Sequence, residues 1–259
     1  MLLKGVWELQ RGLYAAAAGM CSLLTRLDVH ANNLANVSTT GFRKDVPIQR
    51  SFPDIFLSRY RDPAGMVTAA APVGSISLGA AIEEILFSMQ PGELQRTGRP
   101  LDLALEGEGF FVLEDAEGEI LYTRRGDFVL GADGTLQDPF GRRVLGEEGP
   151  LVLSGPPTIA PDGTVSHEGS VVGRLRLRWL PPEALVKVSP SAFARRDGGP
   201  EPKVAEVTIR QGYLEMTNVD PVREMVALIS VMRAYEAAHR AIRAHDELLD
   251  RAVNEIGRA

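Results

Sequence analysis

The chain has 259 residues, a formal net charge of −6, four histidines and a single cysteine. That length buries a sizeable core unaided, and one cysteine excludes an intrachain disulfide and a structural zinc site, which needs several Cys and His ligands. A mildly acidic chain lacks the basic stripe that phosphate binding requires, so nucleic acid is excluded as the main partner.

The start has the outline of a signal peptide, because Leu13 to Leu24 is apolar apart from Gly19 and Ser22 and follows Lys4 and Arg11. Glu8 and Gln10 interrupt the approach, however, and no small-x-small cleavage site follows. No stretch reaches the ~20 uninterrupted apolar residues of a membrane span. The expectation is therefore a chain with no membrane insertion and no cleaved signal. The apolar residues instead continue at heptad spacing: Leu13, Met20, Leu27 and Leu34 form one row, Ala16 and Leu23 a second, Ala17, Leu24 and Ala31 a third. This is a seam of coiled-coil type. It predicts a helix ending near Asn36, before the turn formers Ser38, Thr39, Thr40 and Gly41.

From Ser51 to Gly79 no period is sustained and Pro, Gly and Ala abound, which reads as an extended loop or arm. Phe52, Ile55, Phe56 and Tyr60 give it more apolar content than an inert linker, as expected of a segment that orders on assembly. About Ile82 to Thr208 reads as all-β, with strands expected at Leu101–Leu105, Phe110–Leu113, Ile120–Arg124, Asp127–Leu130 and Val171–Leu180. Within the last, alternation puts Leu175, Leu177 and Trp179 on one face and Arg174, Arg176 and Arg178 on the other. Glu117-Gly118, Ala132-Asp133-Gly134 and Pro161-Asp162-Gly163 are turn chemistry.

The end repeats the heptad pattern. Leu228, Tyr235, Ile242, Leu249 and Ile256 form a row flanked by Met225, Met232 and Val253. Asn218 or Asp220 suits the N-cap, Pro221 the first helical position and Glu224 the first turn.

A heptad-seamed helix is not stable alone in water, so the simplest arrangement packs the two terminal helices on each other. The fold class expected is α+β, a coiled-coil-like helical core with a central all-β domain. Residues 1–36 and 218–259 would form the helical core, 37–80 the arm and 81–217 the β domain. Ala17, Leu24, Val231 and Ala238 are then left for neighbouring subunits, and an open heterologous contact of that kind builds a filament.

No catalytic, metal or cofactor residue is assigned. Gly107-Glu108-Gly109 lacks the rest of a nucleotide loop, and Glu114, Asp115, Glu117 and Glu119 lack calcium-loop spacing. His239 and His245 stand six apart, off the spacing of two ligands on one helix face. Cys21 and His30 lie on the helical seam without a nucleophile motif. Glu106 and Glu108 are candidates for glycoside chemistry by position alone. Arg142, Arg143, Arg174, Arg176 and Arg178 make a basic patch, read either as a contact for a neighbour's acidic surface or as a solvated strand face. A soluble coiled-coil binding module is the alternative to a polymer subunit.

Three strings carry a resemblance. Ala31-Asn32-Asn33-Leu34-Ala35-Asn36-Val37-Ser38-Thr39-Thr40-Gly41-Phe42-Arg43 closely resembles the signature of the bacterial flagellar rod, hook and hook-associated proteins. Thr97 to Phe111 resembles the opening of that family's β domain, and Gln211 to Glu215, with Asn218-Val219 and Arg233-Ala234-Tyr235-Glu236, its C-terminal region. The size and single β domain resemble the rod proteins, distal or proximal, more than the larger hook subunit, and the distal group is favoured. Gly5 to Leu9 and Met216-Thr217 depart from the pattern without disturbing the seam.

The resemblance implies a structural subunit of the flagellar basal body, exported unfolded by the flagellar export apparatus without a cleaved signal. It implies polymerisation with itself and with other rod and hook subunits. The terminal helices would line a hollow tube, and the β domain would face outward. The expected polymer interface is Leu13, Met20, Leu23, Leu27, Leu34, Met225, Leu228, Met232, Tyr235, Ile242, Leu249 and Ile256. The motif turn is Asn32, Asn33, Asn36, Gly41 and Phe42, where Asn and Gly adopt the geometry that redirects the chain.

Overall fold

The computed structural model of the chain describes residues 2–52, 55–59, 71–76 and 79–256. It divides into two compact units.

The first unit comprises residues 1–32, 45–86 and 222–259. It holds most of α1 (Leu2–Ala35) and of α2 (Pro221–Ile256), with β1 (Asp45–Ser51), β2 (Ile55–Arg59), β3 (Ala71–Ile76) and β4 (Ala80–Phe87). β1 pairs with β4, and β2 pairs antiparallel with β3. The stretch expected as a loop therefore contains a hairpin. Its strands are short and broken by Pro72 and Gly74, with a register shift at Leu57/Ser58, which hides the period-2 signal. Tyr60 lies outside the described residues. Beside the helix, Gly79 leaves room for Ala18 of α1 and the ring of Phe52.

The helix boundaries follow the sequence signals. α1 stops at Ala35, and its last turn tightens as the Asn36 and Val37 amides donate to the Asn33 and Leu34 carbonyls. α2 begins on Pro221, whose missing N–H is no loss in the first turn. Asn218 is not its cap, because its side chain is committed to other backbone groups.

The second unit, residues 33–44 and 87–221, is the β-rich body. Its strands are β5 (Leu94–Arg96), β6 (Leu103–Glu106), β7 (Phe110–Glu114), β8 (Ile120–Thr123), β9 (Val129–Leu130), β10 (Leu136–Gln137) and β11 (Arg143–Val144). They continue as β12 (Thr158–Ile159), β13 (Thr164–His167), β14 (Ser170–Arg174), β15 (Leu177–Trp179), β16 (Leu185–Ser189) and β17 (Ala192–Arg195). β18 (Lys203–Val204), β19 (Thr208–Gln211) and β20 (Tyr213–Glu215) complete the unit. The largest sheet runs β16-β17-β8-β7-β11-β10-β9, with β15 and β18 branching from β7. Smaller pairings are β12-β13-β14, β19-β6 and β20-β5.

β7 organises the unit, because strand alternation sends Phe111 and Leu113 to one side and Phe110 and Val112 to the other. The first side joins Leu103, Phe128, Leu136, Val144 and Leu175, and the second joins Tyr122, Leu180 and Phe193. Both faces are buried, so each side chain contributes roughly 1.5–3 kcal/mol of transfer free energy. The stretch expected as one strand to Leu180 is two, β14 and β15, lying in different sheets and separated at Leu175-Arg176. Leu175 and Leu177 are buried as the alternation required.

Candidate functional site

The two carboxylates named by position are both engaged within the β-rich unit. Glu106 forms an ion pair with Arg210 at 2.8 Å, and Glu108 accepts the Trp179 indole N–H at 3.0 Å, so both carboxylates have structural partners. Among the described residues no group of three or more metal-ligating side chains converges, and no helix is long and apolar enough to cross a membrane. What stands out are helical surfaces and a buried clamp.

The more covered face of α2 follows two interleaved heptad rows. Glu224, Val231, Ala238 and His245 form one, and Leu228, Tyr235, Ile242 and Leu249 the other. Val231 is buried, contrary to the expectation that it would be left for a neighbour, because the covered stripe is rotated toward it and away from the methionines. The opposite stripe, Val222, Met225, Val226, Ile229 and Met232, is apolar and exposed.

α1 is likewise two-faced. Leu13, Met20, Leu23, Leu27 and Leu34 are half-buried, whereas Tyr14, Ala17, Cys21, Leu24 and Ala31 are exposed, Tyr14 by 73 %. α1 and α2 meet where the His30 imidazole Nδ1 lies 2.7 Å from the buried Glu224 carboxylate. The Ile256 side chain lies outside the described residues.

The motif turn is tied on both sides. In the first unit the Asn32 amide donates to Asp45 at 3.0 Å. In the second, Asn33 is buried and the Asn36 side-chain oxygen accepts from the Thr39 hydroxyl. Gly41 has φ +67°, and a Cβ there would sit 2.4 Å from the Arg125 amide nitrogen, so glycine is required twice over. Its N–H donates to the Glu215 carbonyl at 2.9 Å. Phe42 is fully buried, with the Lys187 ammonium 3.9 Å from its ring centroid.

Next to this turn lies a clamp that periodicity did not reveal. Glu215, only 1 % exposed, pairs with Arg43 at 2.7 Å and with Arg124 at 3.4 Å, and accepts the Gly92 amide at 3.0 Å. Arg43 also donates to the Gln90 carbonyl, and Arg124 to the carbonyls of Leu105 and Gly107. Burial pulls the Arg124 guanidinium down to about 10 against the attraction of Glu215, which leaves it charged at neutral pH. Asn218 adds a second tie: its carbonyl oxygen accepts the Lys44 amide at 2.8 Å, and its NH₂ donates to the Gln90 carbonyl at 2.9 Å. The N-terminal motif end and the C-terminal motif start thus lie side by side in this unit. Arg43 ends the N-terminal motif and Glu215 stands in the C-terminal one, and only the fold pairs them.

The basic patch is largely engaged. Arg178 holds Glu147 with two bonds of 2.8 and 2.9 Å, Arg176 donates to the Glu147 carbonyl, and Arg174 to the Asp162 carbonyl. That bond from Arg178, aided by the charge of its guanidinium, holds the Glu147 carboxyl below its usual range.

The chain matches three known families in succession. Residues 13–43 match the family described as flagella basal body rod protein. Residues 104–173 match the flagellar hook protein FlgE/F/G D1 domain, and residues 210–255 the flagellar basal body rod FlgEFG protein C-terminal region. Among curated relatives, the flagellar basal-body rod protein FlgG of Borreliella burgdorferi is 30 % identical over 95 % of this chain and 98 % of its own. The rod protein FlgF of Caulobacter vibrioides is 32 % identical over 96 % and 99 %. FlgF of Salmonella typhimurium is 33 % identical over 94 % and 97 %.

Proposed function

This chain belongs to the flagellar basal-body rod protein family, and we propose on that premise that it is a structural, non-enzymatic subunit of the rod. It polymerises through its terminal helices into a hollow drive shaft. The observation that carries the reading is the two-faced character of both helices. One heptad face of each is partly covered within the subunit, and the other leaves apolar side chains such as Tyr14, Leu24, Val222, Ile229 and Met232 in water. Exposed heptad stripes are costly in a solitary protein and useful in a helical bundle shared among copies.

Contact of the exposed α1 stripe of one copy with the exposed α2 stripe of the next is heterologous and, where the rotation does not close, continues as a filament. Coiled-coil packing of α1 against α2 completes the inner seam, with residues 1–36 and 218–259 as the helical core. The partners are further copies, other rod and hook subunits, and the export apparatus that delivers the unfolded chain. The location is the flagellar basal body, and the distal segment is favoured.

The test compares the full chain with a variant lacking residues 1–36 and 221–259 by sedimentation and negative-stain microscopy over a concentration series. Filaments or large assemblies from the full chain alone support the reading. Identical compact monomers or dimers from both sink it in favour of a binding module.

A further inference from the structure

The β-rich unit carries an exposed aromatic on a hydrogen-bonded turn. Phe140 is 63 % exposed at the tip of the turn between β10 and β11. The turn is closed by Asp138, itself buried, whose Oδ1 accepts the amides of Phe140 and Arg142, both at 2.9 Å. The Asp138 amide donates to the Arg142 carbonyl, also at 2.9 Å. The Phe140 ring is flanked by the guanidiniums of Arg125 and Arg142, 5.1 and 5.3 Å from its centroid. Arg125 is fixed in turn by a two-point bond to Asp127. An aromatic with arginine neighbours is the composition of an interface anchor, and its fixed conformation means little freedom is lost on docking.

The same unit offers a hollow of matching character. A depression of about 520 Å³ has Leu175, Leu177, Val204 and Val207 among its lining residues, with the acidic residues Glu147, Asp162 and Glu206. Val204 is 72 % exposed, an apolar wall facing water. Glu147 is kept ionised by Arg178, and Asp162 by bonds from the amide and hydroxyl of Thr164. Arg174 also lines the hollow, and its guanidinium is directed to the Asp162 carbonyl.

We propose that Phe140, with Arg142 and Arg143 beside it, seats in the acid-rimmed hollow around Val204 of a second copy of this chain. The occupant is identified by complementarity: Arg142 is paired with Asp138 and Glu147 with Arg178, so an apolar knob followed by the exposed Arg143 meets an apolar hollow rimmed by Asp162 and the exposed Glu206. Knob and hollow are different patches of one unit, so the contact is heterologous and propagates from copy to copy. This rests on the rod-subunit reading and adds to it a contact between β-rich units that the terminal seams do not supply.

Cross-linking tests it on the full chain with Cys21→Ser as background. Phe140→Cys chains and Val204→Cys chains are assembled together and treated with a short bismaleimide. The expected result is a covalent dimer in the mixture, about tenfold or more above either chain assembled alone, the scale of a specific over an incidental contact. Phe140→Ala should raise the concentration needed for assembly about 30-fold, the loss typical of an interface anchor. Its melting temperature should be unchanged, and high salt should weaken assembly of the wild-type chain.

Filaments that form normally yet give no dimer overturn this contact and leave the rod reading intact. Dimers of Phe140→Cys with itself overturn it in favour of a symmetric contact. Failure of the wild-type chain to assemble at all overturns the rod reading and the contact with it.

Discussion

Glu215→Gln keeps the size of the side chain and removes one negative charge from between two arginines. In the wild-type protein Glu215 is 1 % exposed, Arg43 equally so and Arg124 3 % exposed. Removing one partner of a buried ion pair costs ~3–5 kcal/mol, because the remaining charge is stranded away from water. Here two guanidiniums are stranded together, so the upper half of that range, ~4–5 kcal/mol, is expected. For a cooperative unit of about 150 residues each kcal/mol moves Tm by roughly 2–4 °C, which gives a fall of roughly 8–20 °C.

Differential scanning calorimetry of the full chain, with the near-ultraviolet signal of Trp179 reporting on the β-rich unit, measures the change. Arg210→Ala is the comparator: it breaks the exposed pair with Glu106 and should cost under ~1 kcal/mol. A combined Arg43→Met, Glu215→Leu and Arg124→Met replacement should recover most of the loss, since it leaves no buried charge unpaired. Equal melting shifts for Glu215→Gln and Arg210→Ala would refute the claim that this carboxylate holds the two motifs together.

Gly41→Ala should destabilise the same unit by at least ~2 kcal/mol in chemical denaturation, since a left-handed φ and a Cβ 2.4 Å from backbone nitrogen act together. Glu147→Gln should show a pH-dependent cost. The folded-state pKa is depressed, so the ionised carboxylate contributes stability above the unfolded value near 4.3, and that contribution is lost as pH falls through the folded value. At 40 % side-chain exposure the effect is at most about 1 kcal/mol at pH 7, and melting curves of variant and wild type should converge in acid. Leu24→Asp and Ile229→Asp place charge on the exposed helical stripes. Each should leave the monomer within ~0.5 kcal/mol of wild type while abolishing large species in sedimentation, and unimpaired assembly would count against the helical seams.

Much of this molecule is written locally. Seven-residue rows in the two end segments sufficed for α1 and α2, and Pro221 and the turn after Asn36 set their bounds to within a residue. Leu175 and Leu177, alternating with Arg174, Arg176 and Arg178, sufficed to mark which side chains are buried, though not the break between β14 and β15. These features depend on backbone periodicities of 3.6 and 2, which a few consecutive residues reveal. The hairpin of β2 and β3 stayed hidden because a bulge and an internal proline break the alternation on which recognition depends.

Other features required the folded chain. A row of seven-spaced residues does not say which of two adjacent apolar rows is covered, so the inward place of Val231 and the outward place of Met225 and Met232 are tertiary results. The Arg43, Glu215 and Arg124 clamp and the Asn218 ties are further cases. The residues are separated by up to 174 positions in sequence, taking Lys44 to Asn218, and a charge identifies its partner only where the fold brings the chain back and excludes water. Sequence alone determined that the ends are helical and the middle is β. Tertiary structure decided which apolar stripes remain open and how the two distant motifs are joined, because coverage and ion pairing depend on neighbours that local spacing does not contain.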